Sequence, residues 1–373
     1  MRRKRCRSEI IFLNSFAMSK IRSINRKIWP KHLYYAPQWL VLGVNNICNL
    51  HCKMCDVGTQ SLDTNFAVNL VGTDPLHMPM ELFERIVDQT KQYYPSTKLG
   101  YAFTEPLVYK HLEESLSYAD KAGLYTSVTT NALNLRQKSE MLVRGGLNEL
   151  FISLDGPRDI HNEIRGHKSS HQRALEGIEA LQSQSNIPVS VYCVITEWNI
   201  GYLKAFLDEL KPYKLKHVGF LHSNFITPDS ATLHNEVYGA KYFATTSNIE
   251  EVSFEALDLQ VLSDELTEIK QGNYPFPISV TPPVIEKAQL ETYYFKPQEK
   301  VGQACLDAFN NIMIKSDGSV IPAHGRCFNL TVGNVYSESL KEIWNSGELI
   351  RLRKALKDNG GLLPACTRCC SAV

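Results

Sequence analysis

The sequence predicts an α/β protein, a partial (β/α)6 TIM-like barrel followed by a small C-terminal β-hairpin/helix module. Three observations carry this. From Trp39 to His222, short runs rich in β-branched and aromatic residues alternate six times with stretches of helical periodicity, the pattern of βα units around a parallel sheet. The runs are mostly apolar along their length, as strands covered on both faces are. The chain holds 10 cysteines, and most fall in metal-ligand spacings, either just after the first run or from Cys305 onward.

Taken in order, the strands are expected at 40–45, 98–103, 125–130, 149–154, 188–195 and 217–222. Val108, Leu112, Leu116 and Ala119 recur at helical spacing and stop at Gly123, and Leu203, Phe206, Leu207 and Leu210 repeat the pattern. After His222 comes a variable stretch, with a helix expected over 254–270 and an extended segment at 277–281 covering the barrel's open side. Residues 311–315 and 319–322 read as a hairpin about an Asp317-Gly318 turn. Such a hairpin brings Cys305 and Cys327 together. An amphipathic stretch over 340–356 then leads to Cys366-Thr-Arg-Cys369-Cys370. The domains expected are a basic, partly disordered N-terminal tail over 1–37, the barrel over 38–300 and the cysteine module over 301–373.

Composition sets the bounds of function. The 373 residues suffice for one barrel and a smaller module. With 40 Lys+Arg against 39 Asp+Glu the net charge is +1, so no global field favours nucleic acid or an anionic membrane. No apolar stretch approaches the ~18 residues of a spanning helix. Cysteines in ligand spacings point to a reducing, cytoplasmic setting instead of a disulfide framework. Arg2, Arg3, Lys4, Arg5 and Arg7 before Ile10–Leu13 superficially suggest a signal peptide, but the apolar part is short and broken by Asn14 and Ser15. It reads as a tail, with Cys6 a free thiol and Met18 an equally good start.

The chemistry begins at Cys48-x3-Cys52-x2-Cys55. Thiolates are soft donors that select zinc, copper(I) or iron–sulfur clusters, and a closed structural zinc site wants a fourth ligand nearby. An iron–sulfur cubane with one open iron does not. A barrel places its site at the C-terminal ends of its strands, and polar residues fall there repeatedly: Glu105 after the second strand, Asn131 after the third, Ser153, Asp155 and Arg165 after the fourth.

On these residues the chain resembles the radical S-adenosylmethionine (SAM) superfamily. The cysteine triad matches its signature, which implies a [4Fe–4S] cluster whose open iron chelates SAM and reductively cleaves it to a 5′-deoxyadenosyl radical that takes hydrogen from a substrate. Thr104-Glu105-Pro106-Leu107 is similar to the family's GGEP element, with Phe103 and Thr104 at the usual glycines. Thr129-Thr130-Asn131-Ala132 is similar to its TNG element. Ile152-Ser-Leu-Asp-Gly-Pro157 with His161-Asn162 and Arg165-Gly166 resembles the signature of the SPASM branch, Asn162 replacing Asp. The resemblance implies that Glu105 receives the SAM ammonium group and that Ser153 and Arg165 hold its carboxylate. It also implies that Asn131 lines the site and that Met54 packs on adenine.

The order of cysteine, hairpin, cysteine, helix and C-x2-C resembles a SPASM/Twitch extension. It implies one auxiliary [4Fe–4S] cluster on Cys305, Cys327, Cys366 and either Cys369 or Cys370, with a four-cysteine zinc site as the other reading of the same spacing. Ala323 stands where the usual pattern carries a cysteine. An auxiliary cluster that accepts an electron implies an oxidoreductase. The segment before Cys48 lacks strand–helix periodicity, so no fused peptide-recognition domain is expected. The expected substrate is a small molecule, a sugar or aminocyclitol, or a short or separately delivered peptide, with a low-potential donor such as flavodoxin or ferredoxin. Cys193 reads as a small packed residue, or as a hydrogen donor that would make the enzyme an epimerase. His222 reads as a base toward substrate or as a core histidine. His51 and His324 read as loop polarity. A non-catalytic iron–sulfur or zinc scaffold is the reading of different class.

Overall fold

The computed structural model describes residues 20–26, 28 and 32–372. Arg2 to Arg7, Cys6 and Met18 lie outside them. Six strands stand within a few residues of where the periodicity puts them: β1 (Trp39–Leu42), β2 (Lys98–Tyr101), β3 (Thr126–Thr130), β4 (Glu149–Ser153), β5 (Val189–Ile195) and β6 (His217–His222). The 277–281 segment forms β7 (Ile278–Thr281), parallel to β6 at the open edge. The helices after β1 and β2 are α1 (Asn65–Val71), α2 (Met80–Tyr93) and α3 (Leu112–Lys121). Next come α4 (Leu135–Arg144), α5 (Arg158–Ile164), α6 (Ser170–Gln184), α7 (Leu203–Leu210) and α8 (Pro228–Tyr242). The helix expected over 254–270 is shorter, because Asp258 accepts the backbone N–H groups of Gln260 and Val261 and starts α9 (Leu259–Gln271) there. Helix α10 (Lys287–Phe295) follows β7.

The hairpin is present as β8 (Asn311–Ile314) and β9 (Ser319–Pro322), with Gly318 at φ +78° in its turn and β10 (Gly333–Asn334) antiparallel to β9. It is continuous with the sheet of the barrel. Strand β8 lies parallel beside β1, pairing Leu40 with Ile312 and Leu42 with Ile314, so one ten-stranded sheet runs β10-β9-β8-β1-β2-β3-β4-β5-β6-β7. The amphipathic stretch over 340–356 divides into α11 (Leu340–Trp344) and α12 (Gly347–Asp358), since the Ser346 hydroxyl caps α12 at Leu349 N–H. At the break, Asn345 Oδ1 accepts the backbone N–H of Leu33, and Trp344 Nε1–H donates to the carbonyl of Tyr35. The end of the segment read as a loose tail is therefore pinned, with Leu33 and Tyr35 buried.

Strand side chains alternate between two environments. Leu40, Leu42, Val128, Ile152, Val191, Cys193 and Phe220 join Leu82, Phe83, Leu116, Ile178 and Phe206 of the helices in the main core, which also takes in Ile312, Ile314 and Trp344. The opposite, inner face carries two smaller clusters. Val194 packs with Leu50, Cys52, Met54, Leu133 and Ile164. Val41, Met313 and Ile321 pack with Phe66, Leu70 and Phe103.

Candidate active site

The cysteine loop leaves the C-terminal end of β1 and folds tightly on itself. Gly58 lies so close to the Cys52 backbone that a Cβ there would come within 2.3 Å of its carbonyl oxygen, which only glycine permits. Cys48 is exposed, Cys55 half-buried and Cys52 buried. Burial pushes the Cys52 thiol up to about 12 against the opposing charge of Arg165, whose Nη1–H group donates to its sulfur at 3.6 Å. Thiols so placed ionise when a metal supplies the charge, so this donor set fits an iron–sulfur centre bound through three thiolates.

Arg165 is itself held in place. Its Nε–H donates to Asp155, whose other carboxylate oxygen accepts the Val194 N–H at 2.9 Å, while Asn199 donates to the Asp155 carbonyl at 2.9 Å. Burial opposes the charge on Arg165, but Asp155 and Cys52 hold its pKa above the ordinary value. His161 Nδ1 accepts the Asp155 N–H at 3.0 Å, and burial keeps the ring neutral. Asn162, where the pattern has Asp, accepts from Ser170 Oγ and the His171 N–H and so caps α6.

On the facing side, the Glu105 carboxylate is buried and accepts three hydrogen bonds. These come from the Leu107 N–H at 2.9 Å, the Thr130 hydroxyl at 2.6 Å and the Asn131 N–H at 2.8 Å. Burial raises its pKa and the three donors oppose that rise. Oε2 accepts only one of them and keeps a lone pair for a ligand cation. Asn131 Nδ2–H donates to Asn49 Oδ1 at 2.8 Å. Phe103 and Ala132, at positions where the pattern has glycine, have φ +83° and +61°, so the chain keeps the glycine-like backbone with other residues. Met54 is buried against Leu133 and Ile164, and Ser153 is half-buried at the end of β4. The fold thus gathers Cys48, Cys52, Cys55, Met54, Glu105, Asn131 and Arg165 around one mouth, with Ser153 at the end of strand β4.

A second set of thiols converges beyond β8. One cavity is lined by Cys305, Cys327, Cys366 and Cys369, with Phe225, Ile226, Phe328 and Leu352, and Cys370 is not on its wall. Burial pushes the Cys305 thiol up to about 12 and raises those of Cys327 and Cys366 well above their ordinary value. Four half-buried thiols lining one cavity fit a four-thiolate cluster. Ala323, with φ +56°, lines the same cavity without offering a ligand.

The family model of the radical SAM superfamily matches residues 43–210, and that of the SPASM iron–sulfur cluster-binding domain matches residues 305–370. The chain belongs to the radical SAM superfamily. The first match begins just before the cysteine triad, and the second runs from Cys305 to Cys370. Among curated relatives, Fe-coproporphyrin III synthase of Methanosarcina barkeri is 27% identical over 184 residues, covering 49% of this chain and 43% of that protein. The sporulation killing factor maturation protein SkfB of Bacillus subtilis is 25% identical over 179 residues, covering 47% of this chain and 40% of that one. The chain thus spans less than half the length of these two relatives. The fold is like that of SuiB from Streptococcus suis, with TM-score 0.62 and 17% identity over 93% of this chain and 76% of that one. Radical SAM and SPASM membership carries with it a [4Fe–4S] cluster and SAM. No helix among the described residues is long and apolar enough to cross a membrane.

Two expected residues stand apart from this radical SAM site. Cys193 points to the opposite face from its neighbour Val194: it is fully buried in the helix-side core, and Asn199 Nδ2 lies 3.6 Å from its sulfur. The epimerase reading through Cys193 therefore loses its geometry. His222 is buried with both ring nitrogens engaged, Nδ1 at 2.8 Å from Tyr294 Oη and Nε2 at 2.9 Å from the Val284 carbonyl. It is a core histidine with no nitrogen left to act as a base. Conversely, His324 is more than loop polarity, since its ring lies with Cys369 and Cys370 in one group whose ligand atoms are within 4.8 Å of one another. Asn199, Asp307 and Ser371 carried no readable signal, for each acts on a residue that only the fold brings near.

Proposed function

We propose that this radical SAM protein is an oxidoreductase that reductively cleaves SAM, abstracts hydrogen from a small polar substrate of the sugar or aminocyclitol class and releases it two electrons more oxidised. Cys48, Cys52 and Cys55 hold the SAM-binding cluster, and Cys305, Cys327, Cys366 and Cys369 hold one auxiliary [4Fe–4S] cluster. When bound, the two clusters supply an electron for SAM cleavage and an acceptor for the electron the substrate gives up. Glu105 Oε2 receives the SAM ammonium group, Arg165 and Ser153 take its carboxylate, Asn131 lines the site and Met54 packs on adenine. A low-potential donor such as flavodoxin or ferredoxin feeds the first cluster, in the cytoplasm.

The observation that supports a small substrate is a tether across the barrel mouth. Asp56, next to Cys55, accepts from Thr64 Oγ1, Ser247 Oγ and the Asn248 N–H, and Asn65 exchanges hydrogen bonds with Phe243 and Thr245. The loop after β1 is thereby tied to the segment after α8. The second reading, a short or separately delivered peptide, is favoured by the likeness of fold to SuiB, which has been solved bound to its precursor peptide SuiA.

The test is iron, sulfide and zinc content of anaerobically reconstituted protein, beside a Cys48/Cys52/Cys55→Ala variant. The reading expects about eight irons falling to about four, no zinc, and 5′-deoxyadenosine released under strong reductant only by the wild type. Zinc in place of the second four irons, or no 5′-deoxyadenosine from the fully loaded wild type, overturns it. Oxidation of peptides but not of sugars or aminocyclitols selects the second reading.

A further inference from the structure

His324 sits at the junction of the two halves of the molecule. Its Nδ1 accepts the backbone N–H of Arg326 at 3.2 Å, which makes Nε2 the donor nitrogen of the ring. That N–H faces Ser371 Oγ at 2.7 Å, Asp307 Oδ2 at 3.4 Å and Cys370 Sγ at 3.5 Å, with Cys369 Sγ inside the same 4.8 Å group. The Ser371 hydroxyl in turn donates to Asp307 Oδ2 at 2.6 Å. The ring is buried and cannot swing away. Phe103 stacks on it, with centroids 5.5 Å apart and planes at 23°, and Phe103 is the residue that stands two before Glu105 at φ +83°.

We infer that His324 is a positioning residue for the auxiliary cluster: its Nε2–H donates into the pair of sulfurs formed by the ligand Cys369 and its neighbour Cys370, and raises the reduction potential of the centre that Cys369 holds. The inference rests on the reading that this site holds iron and sulfide. A hydrogen bond to a cluster thiolate withdraws electron density and favours the reduced, more negative state. Ser371 competes for the same proton. Removing the imidazole and removing its competitor must therefore move the potential in opposite directions, which a merely structural role would not do.

The experiment is an EPR-monitored potentiometric titration of the reconstituted full chain. The auxiliary signal is identified as the one that persists in the Cys48/Cys52/Cys55→Ala variant. His324→Phe is expected to lower the midpoint with iron content unchanged, His324→Gln to recover part of the loss because its amide still donates, and Ser371→Ala to raise the midpoint above wild type. Full iron with an unmoved midpoint in His324→Phe overturns the inference alone, and so does a shift of the same sign in His324→Phe and Ser371→Ala. If His324→Phe does not retain its cluster, the sign of the Ser371→Ala shift decides, and a fall or no change overturns the inference. Zinc without iron at this site in the wild type overturns it together with the reading beneath it.

Discussion

Phe103 and Ala132 occupy the left-handed region, which costs a residue with a side chain roughly 1–3 kcal/mol and persists where the surroundings over-determine it. They do so here. The Thr104 hydroxyl donates to the Asn45 carbonyl and Asn45 Nδ2–H to the Glu105 carbonyl, while the Ala132 N–H donates to Thr130 Oγ1 and its carbonyl accepts the Leu135 N–H, so each turn is fixed from both sides. His222 shows the same dominance of surroundings over intrinsic preference. Burial lowers its pKa from 6.5 to about 4, against the acceptor carbonyl of Val284. Between those values the unfolded chain binds a proton that the folded chain refuses. The stability it contributes is full above pH 6.5 and is lost as pH falls toward 4, by up to roughly 3 kcal/mol. Denaturant unfolding at pH 7.5 and pH 5 is expected to show a larger drop for wild type than for His222→Gln. Equal drops would remove His222 from the account.

Helix α1 fastens the auxiliary site. Its Asn69 Nδ2–H group donates to the carbonyls of Gly325 and Cys327, at 3.0 and 2.8 Å, and its Oδ1 accepts from Asn329 Nδ2–H at 2.7 Å. Asn329 also donates to the Asn65 carbonyl. Because Cys327 lines the four-thiol cavity, this short helix positions a cysteine far from it in sequence. Asn69→Ala leaves those groups without their partner and is expected to cost on the order of 2–3 kcal/mol, with less iron retained on the C-terminal cysteines. Thermal unfolding beside iron analysis checks both. A variant as stable and as iron-rich as wild type would mean that α1 is an ornament of the loop.

At the scale of the molecule, barrel and cysteine module share one sheet and one core. The β1–β8 pairing covers the edge of β1, and Trp344, fully buried, reaches back to the Tyr35 carbonyl while the Arg353 guanidinium lies 4.4 Å over its ring. A chain stopped at residue 300 therefore exposes an unpaired strand edge and the apolar surface that α11 and α12 cover. It is expected to be insoluble or aggregated, as read by soluble yield and size exclusion. A monomeric, folded fragment would show that the barrel is independent of the module.

How much was legible follows the range of the interactions. Strand positions, α7 and the hairpin turn were readable because periods of 2 and 3.6 and an Asp-Gly turn are local, and the two thiol sets were readable because metal ligands come in close spacings. Which face a strand residue takes was not readable. In a sheet covered on both sides Cys193 and Val194 look alike in sequence, and only packing sends one to the helices and the other to the cysteine loop. The same holds for β8 beside β1, for Asp56 tied to Asn248 and for His324 facing Cys370. The sequence by itself determined the βα rhythm and the metal chemistry. The tertiary structure decided which polar groups serve that chemistry, because contacts between residues far apart in the chain leave no local pattern and exist only once the sheet has assembled.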